Sequence, residues 1–258
     1  MEHFLSTKGE IEMKIKRFIS MVLAVVLLLG LLPVMGASAA EESGTLGGDN
    51  RWTLEHSTGV LTISGEGEIF VNGGNLAPWA KWAEEIRSIV IGEGITCVSY
   101  DAFYACQWVE EFYILSTMEE MTYPRSRYLS AFHVAEGNEV FAQVDGVLFS
   151  KDLNTLISVP QGYMGTYAVP DTVTEIEDGA FAGCHGLMEV ILPEGITEIK
   201  SNTFSDCTSL LRVTLPESVR KIRAGAFENC ISLKEVYYCG CTEDMWCDIV
   251  FESGNIYF

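Results

Sequence analysis

After residue 40 this 258-residue sequence contains no long apolar run, and it is poor in basic residues, histidine and proline. Each shortage excludes a class of function. With no second stretch of about 20 apolar residues there is no second candidate for a membrane-spanning helix. Lys and Arg total 16 against 36 Asp and Glu, a formal charge of −20, which opposes binding to nucleic acid and to anionic lipid. His56, His133 and His185 stand singly, and no G-x-S-x-G elbow, H-E-x-x-H helix or glycine-rich phosphate loop occurs. Nothing in the sequence therefore assembles a nucleophile with its base, a metal pair or a nucleotide cradle. The expectation is a non-enzyme with no catalytic residue, no cofactor and no metal. The abundant carboxylates suit a solvated outer surface.

What the sequence does contain is a repeat. Residues 169–191, 192–214 and 215–237 align without a gap at a period of 23. Pro170, Pro193 and Pro216 open the copies; Phe181, Phe204 and Phe227, then Cys184, Cys207 and Cys230, then Val190, Val213 and Val236 follow in fixed columns. A unit this short cannot bury its apolar residues alone, so neighbouring copies must stack to make the core. A period in the low twenties with single apolar residues at strand spacing points to a solenoid of leucine-rich-repeat type. An earlier copy at 91–114 carries Ile95, Val98, Phe103, Cys106, Val109 and Phe112 in the same columns. Residues 115–134 form a shorter, eroded copy that keeps Leu129, Phe132 and Val134 but has lost the Phe and Cys columns. Residues 136–168 read as an insertion, in which an alternating run, the turn Asp145-Gly146 and Val147-Leu148-Phe149 predict a β-hairpin. Residues 78–86, with Pro78 in the first turn and Trp79 and Trp82 within, predict a short helix covering the open end of the coil.

The eight cysteines fall into two groups. Cys106, Cys184, Cys207 and Cys230 share one repeat column and are expected as free, buried thiols, with Cys97 buried beside them. Cys239, Cys241 and Cys247 lie outside the register. A zinc site among them lacks a fourth ligand, which leaves one disulfide, or three free thiols.

The N-terminus predicts the compartment. Lys14, Lys16 and Arg17 precede the apolar run 18–35, and Ala37-Ser38-Ala39 follows, which are the three regions of a secretory signal. Residues 1–39 are read as that signal, with cleavage before Ala40 and with Met13 as an alternative start. Its removal leaves 219 residues (258 − 39) with 12 basic and 33 acidic side chains, a formal charge of −21. The membrane is then met only in transit. There is no lipobox cysteine near Ala39 and no sorting signal at the C-terminus, so the expected location is secreted, extracellular, or loosely associated with the cell wall.

The string Gly179-Ala180-Phe181-Ala182-Gly183-Cys184 with Leu187, and the hairpin from Val144 to Asp152, resemble the BspA-like leucine-rich-repeat family of secreted bacterial surface proteins. So do the opening segment Trp52-Thr53-Leu54 with residues 59–65, and the tail with Tyr237, Tyr238, Gly240 and Trp246. The resemblance implies a mainly β, right-handed solenoid. Its parts would be a small N-terminal β-hairpin unit at 40–86, repeats over 87–237 interrupted by 136–168, and a C-terminal cap at 238–258. It also implies an adhesive or ligand-binding protein of the cell surface.

Period-two alternation turns one residue of each repeat strand outward. The outward column reads Tyr113, His133, Ile191, Thr214 and Tyr237, flanked by Glu111, Ala131, Glu189, Arg212 and Glu235. Aromatic and aliphatic groups in a row on a rigid sheet suit contact with a partner. That partner is expected to be a host extracellular protein, a bacterial surface protein or a glycan. The alternative is a structural protein of the cell envelope that self-assembles without an external ligand.

Overall fold

The computed structural model describes residues 41–71, 77–120, 123–239 and 249–255. The expected signal segment lies outside them, as do Gly240, Cys241, Trp246 and Cys247 of the expected cap.

The chain opens as an antiparallel meander, β1 (Glu41–Gly47), β2 (Asn50–Glu55) and β3 (Val60–Ser64), followed by β4 (Gly67–Ile69). From there the sheets are built by parallel stacking. β5 (Ser88–Ile91) joins β3; β6 (Ile95–Val98) joins β4; β7 (Glu111–Ile114) and β8 (Ala131–Val134) extend the first sheet to the order β1-β2-β3-β5-β7-β8. β9 (Phe141–Val144), β10 (Val147–Ser150) and β11 (Thr155–Ser158) then form an antiparallel ribbon. The regular coils carry two strands each: β12 (Met164–Ala168) with β13 (Glu175–Ile176), β14 (Gly186–Ile191) with β15 (Glu198–Ile199), and β16 (Arg212–Leu215) with β17 (Lys221–Ile222). β18 (Glu235–Tyr238) and β19 (Val250–Phe251) complete the stack. β12-β14-β16-β18 make one parallel sheet and β15-β17-β19 a narrower one, while β13 is held by β11. The protein is a mainly β solenoid.

The repeat columns become ladders. Glu189 lies opposite Arg212 and Arg212 opposite Glu235, a step of 23 each time (212 − 189; 235 − 212). Even the turns stack through backbone bonds: Phe181 N donates to Thr203 O at 2.9 Å and Phe204 N to Ala226 O at 2.8 Å. Each turn needs left-handed backbone at two places. Gly179, Asn202 and Gly225 hold φ of 66°, 56° and 64° at the first, and Gly183, Asp206 and Asn229 hold 75°, 59° and 58° at the second. Those columns accept only Gly, Asn or Asp for this reason.

Two apolar clusters fill the coil. The first runs from Trp52 to Leu148 and the second from Val147 to Ile249. In the second, Phe181, Phe204 and Phe227 are fully buried and stack face to face, with ring centroids 4.9 and 5.2 Å apart. Cys184, Cys207 and Cys230 form the buried column beside them, all free. Cys207 Sγ donates to Phe181 O at 3.1 Å and Cys230 Sγ to Phe204 O at 3.0 Å. Burial pushes the Cys184 and Cys230 thiols up to about 12 and Cys207 higher still. Cys106 in the first cluster is likewise pushed up to about 12 by burial.

Three expectations are corrected. The short helix expected over 78–86 is reduced to a 3₁₀ helix at Ala80–Trp82, held by bonds three residues back such as Trp82 N to Trp79 O at 3.0 Å. A segment of this length gains little from α geometry, and the tighter turn seats Trp79 fully in the core with its Nε1 donating to Ala102 O at 3.0 Å. Cys97 is half-exposed rather than buried, because Ile95 and Val98 are the residues that β6 turns inward. The stretch expected as an insertion also overreaches. Its Asp145-Gly146 hairpin is present, with φ of 51° and 80° in the turn, but Met164–Ala168 is a solenoid strand paired in parallel with β14. Only Gly165 and Tyr167 of that strand point inward, so it lacks the Leu and Val marks of its neighbours.

Candidate partner-binding face

The five outward residues fall into two rows. Tyr113 and His133 are register partners on β7 and β8, and Thr62 and Val90 continue that row on β3 and β5. Ile191, Thr214 and Tyr237 are register partners on β14, β16 and β18, with Ala168 of β12 before them. The two rows belong to separate sheets. The hairpin turn divides them: Phe132 N of β8 donates to Gly146 O at 2.9 Å, and Gly146 lies against Ala131. The charge of Asp145 in the same turn adds to burial in pushing the Tyr163 hydroxyl up. The sequence signal for this division was the hairpin itself; its landing place on the sheet edge had none.

The first row is tightly knit. Tyr113 and His133 stack at 4.4 Å with 13° between their planes. The Nε2 of His133 contacts the Glu111 carboxylate, which is nearly buried at 9% exposure. In the second row Ile191 and Tyr237 are 40% and 51% exposed, with Thr214 half-buried between them.

Beside the second row runs a line of charge that sequence reading recorded only as flanking residues. Arg212 bridges its neighbours on both sides, with Nη1 3.3 Å from Glu189 Oε1 and Nη2 2.6 Å from Glu235 Oε2. Thr166 Oγ1 donates to Glu189 Oε2 at 3.4 Å. The Arg212 guanidinium also stands 5.3 Å from the centre of the Tyr237 ring, a cation–π distance. Its hydrogen bond holds the Glu235 carboxyl below the usual carboxylate range. The result is one exposed aromatic ring fixed over a pre-ordered charged ladder.

Among the described residues no group of three or more His, Cys, Asp or Glu is placed to hold a metal ion. No helix of the described residues is long and apolar enough to cross a membrane.

The sequence profile described as BspA type leucine rich repeat region matches residues 81–134 and 163–248, in six copies. No curated protein matches the chain. Among solved structures, the chain is similar to the pneumococcal vaccine antigen PcpA, at 27% identity and a TM-score of 0.54 over 60% of this chain and 42% of that one. It therefore spans less than half the length of PcpA. A leucine-rich cell surface protein of Faecalibacterium prausnitzii is 17% identical, with a TM-score of 0.33 over 84% of this chain and 100% of that one. The leucine-rich-repeat protein of T. pallidum is 18% identical, with a TM-score of 0.39 over 78% and 81%.

Proposed function

Since the chain belongs to the BspA-type leucine-rich-repeat family, we propose that it is a secreted or surface-held binding module of adhesion type. Its partner, a protein or glycan outside the cell, docks on the outward face of the parallel sheet. The observation that carries this reading is the second row: Ile191 and Tyr237 stay exposed in matching register on a sheet whose other face is closed core. A rigid, pre-ordered aromatic anchor loses little entropy on binding. The likeness to PcpA, a pneumococcal vaccine antigen, supports a place outside the cell.

Self-assembly through β1, the edge of the first sheet among the described residues, is disfavoured. β1 presents Glu41 and Glu42 there, and like charges at an open edge oppose pairing with a second copy.

The test is a pull-down from fractionated extracellular matrix and mucosal proteins, with the retained species identified by mass spectrometry. A saturable partner whose affinity falls on Tyr237→Ala and Tyr113→Ala is the expected result. Affinity unchanged by both substitutions would remove the sheet face from the reading. No partner, together with concentration-dependent association in sedimentation, would replace it with self-assembly.

A further inference from the structure

We propose that the solenoid carries a second binding site, for a carboxylated sugar, in a cleft of about 400 Å³ beyond the N-terminal ends of β7, β8, β12 and β14. The site is independent of the sheet face. The step between register partners is 23 from β5 to β7 (111 − 88) and again from β14 to β16 (212 − 189), but only 20 from β7 to β8 (131 − 111). The eroded copy is thus short of the residues that elsewhere fill the turn, and the concavity opens at that break.

Its charge is unlike that of a chain with 36 acidic and 16 basic residues. Arg87, Lys200, Arg212, Lys221 and Arg223 each hold a carboxylate of this chain, while Arg51, Lys81, Lys151, Arg220 and Lys234 make no ion pair among the described residues but do not line the cleft. Arg125 and Arg127, both exposed and both lining the cleft, make no ion pair among the described residues. Two guanidiniums together, unneutralised in so acidic a molecule, form a local well for an anion, and the planar fork of arginine suits a carboxylate.

The wall beside them is aromatic. Trp108 and Tyr128 stack at 5.0 Å with 10° between their planes and remain 42% and 44% exposed. Tyr128 covers one face of Trp108 and the Arg87 guanidinium stands 6.0 Å from the centre of that ring, so the face offered to a sugar ring is that of Tyr128. The remaining lining is amide and imidazole. Gln161 spends its Nε2 on Ala182 O at 2.9 Å, and His185 places Nδ1 3.3 Å from Thr208 Oγ1. Their outer atoms, with Gln107, offer donors and acceptors to hydroxyls. The volume is in the range of small-ligand clefts. Carboxylate for the arginines, ring face for the aromatics and hydroxyls for the amides together describe a uronic-acid type sugar better than an acidic peptide.

The test is titration of the purified protein with a hyaluronan tetrasaccharide, a neutral chitotetraose and a tetra-glutamate peptide, followed by calorimetry. The expected result is that hyaluronan binds, weakens with added salt, and loses about tenfold or more in affinity in Arg125→Gln/Arg127→Gln. Both side chains are exposed, so the double variant should melt as the parent does; Tyr237→Ala serves as the control that leaves this binding unchanged. Chitotetraose binding equally well would overturn the role of the arginines. Tetra-glutamate binding as tightly as hyaluronan would overturn the sugar. No binding of hyaluronan at about 5 mM would end the proposal.

Discussion

The two halves of the coil bury aromatic rings in different ways. In the first, Trp52 meets Trp79 at 68°, Phe103 meets Phe112 at 79° and Phe112 meets Phe132 at 72°, each edge to face, while Trp79 and Phe103 between them stack at 26°. In the second, Phe181, Phe204 and Phe227 lie almost parallel, at 28° and 13°. The rings of the second half occupy one column at a constant step, so translation along the stack carries each onto the next. In the first half the step changes from 28 (88 − 60) to 23 to 20, and rings of different size must interlock instead. Regular repetition yields a ladder; irregular repetition yields a jigsaw, with a hairpin set between the two.

The strongest way to break the comparison is Phe204→Ala. The ring is fully buried between two others, so its loss should cost about 3–5 kcal/mol. Because a solenoid couples mainly nearest neighbours, the damage should stay in the second half. Thiol labelling at rising denaturant should expose Cys184, Cys207 and Cys230 early in this variant while Cys106 stays protected. Phe132→Ala should do the reverse. If all four thiols become reactive together in both variants, the halves form one cooperative unit and the comparison fails.

Gly146→Ala probes the joint. At φ 80° an added Cβ would sit 2.9 Å from the Ala131 Cβ. The variant should lose about 1–2 kcal/mol, and amide exchange should quicken at Phe132, whose N–H donates to Gly146 O. Unchanged protection at Phe132 would show that the hairpin does not hold the edge of β8.

A smaller effect follows from the thiols of the intact protein. At pH 8 an alkylating reagent should label exposed Cys239 first among the described thiols. Cys97 should follow, its thiol pushed up by burial and then by Glu120. The buried column should not react until the protein unfolds. Rapid labelling of Cys207 in the native state would contradict the packing of the second half.

The ladder was legible in the sequence because every turn of it repeats: Phe181, Cys184 and Val190 announce their positions three times over. The jigsaw was legible only in part. Residues 50–64 and the Asp145-Gly146 turn carry their own alternation and turn chemistry, so their strands could be read. β12 could not, since a strand whose inward residues are Gly165 and Tyr167 has no apolar signature. The outward column was read one residue at a time, and its members are register partners within each sheet. The break between its two rows depends on where a hairpin tip lands, which is a tertiary fact. The cleft was invisible for the opposite reason: it lies where the register step falls from 23 to 20, and no repeated column marks it.

The smallest expected effect concerns the charged ladder, found along the regular sheet. The hydrogen bond from Arg212 lowers the Glu235 carboxyl from its ordinary value near 4.5. A carboxyl lowered in the folded state stabilises the fold above its unfolded value, and that contribution disappears as pH falls through the lower, folded one. Arg212→Gln removes it at the source. The difference in Tm between wild type and this variant should therefore be small at pH 7 and should shrink away as pH falls below the ordinary carboxylate range. High salt at pH 7 should also shrink it, since both groups face water. A difference that persists at acid pH would mean that Arg212 acts through packing on Tyr237 and not through its carboxylates. In that case the ring would lose its fixed position along with the guanidinium, and partner binding should fall in Arg212→Gln as expected for Tyr237→Ala.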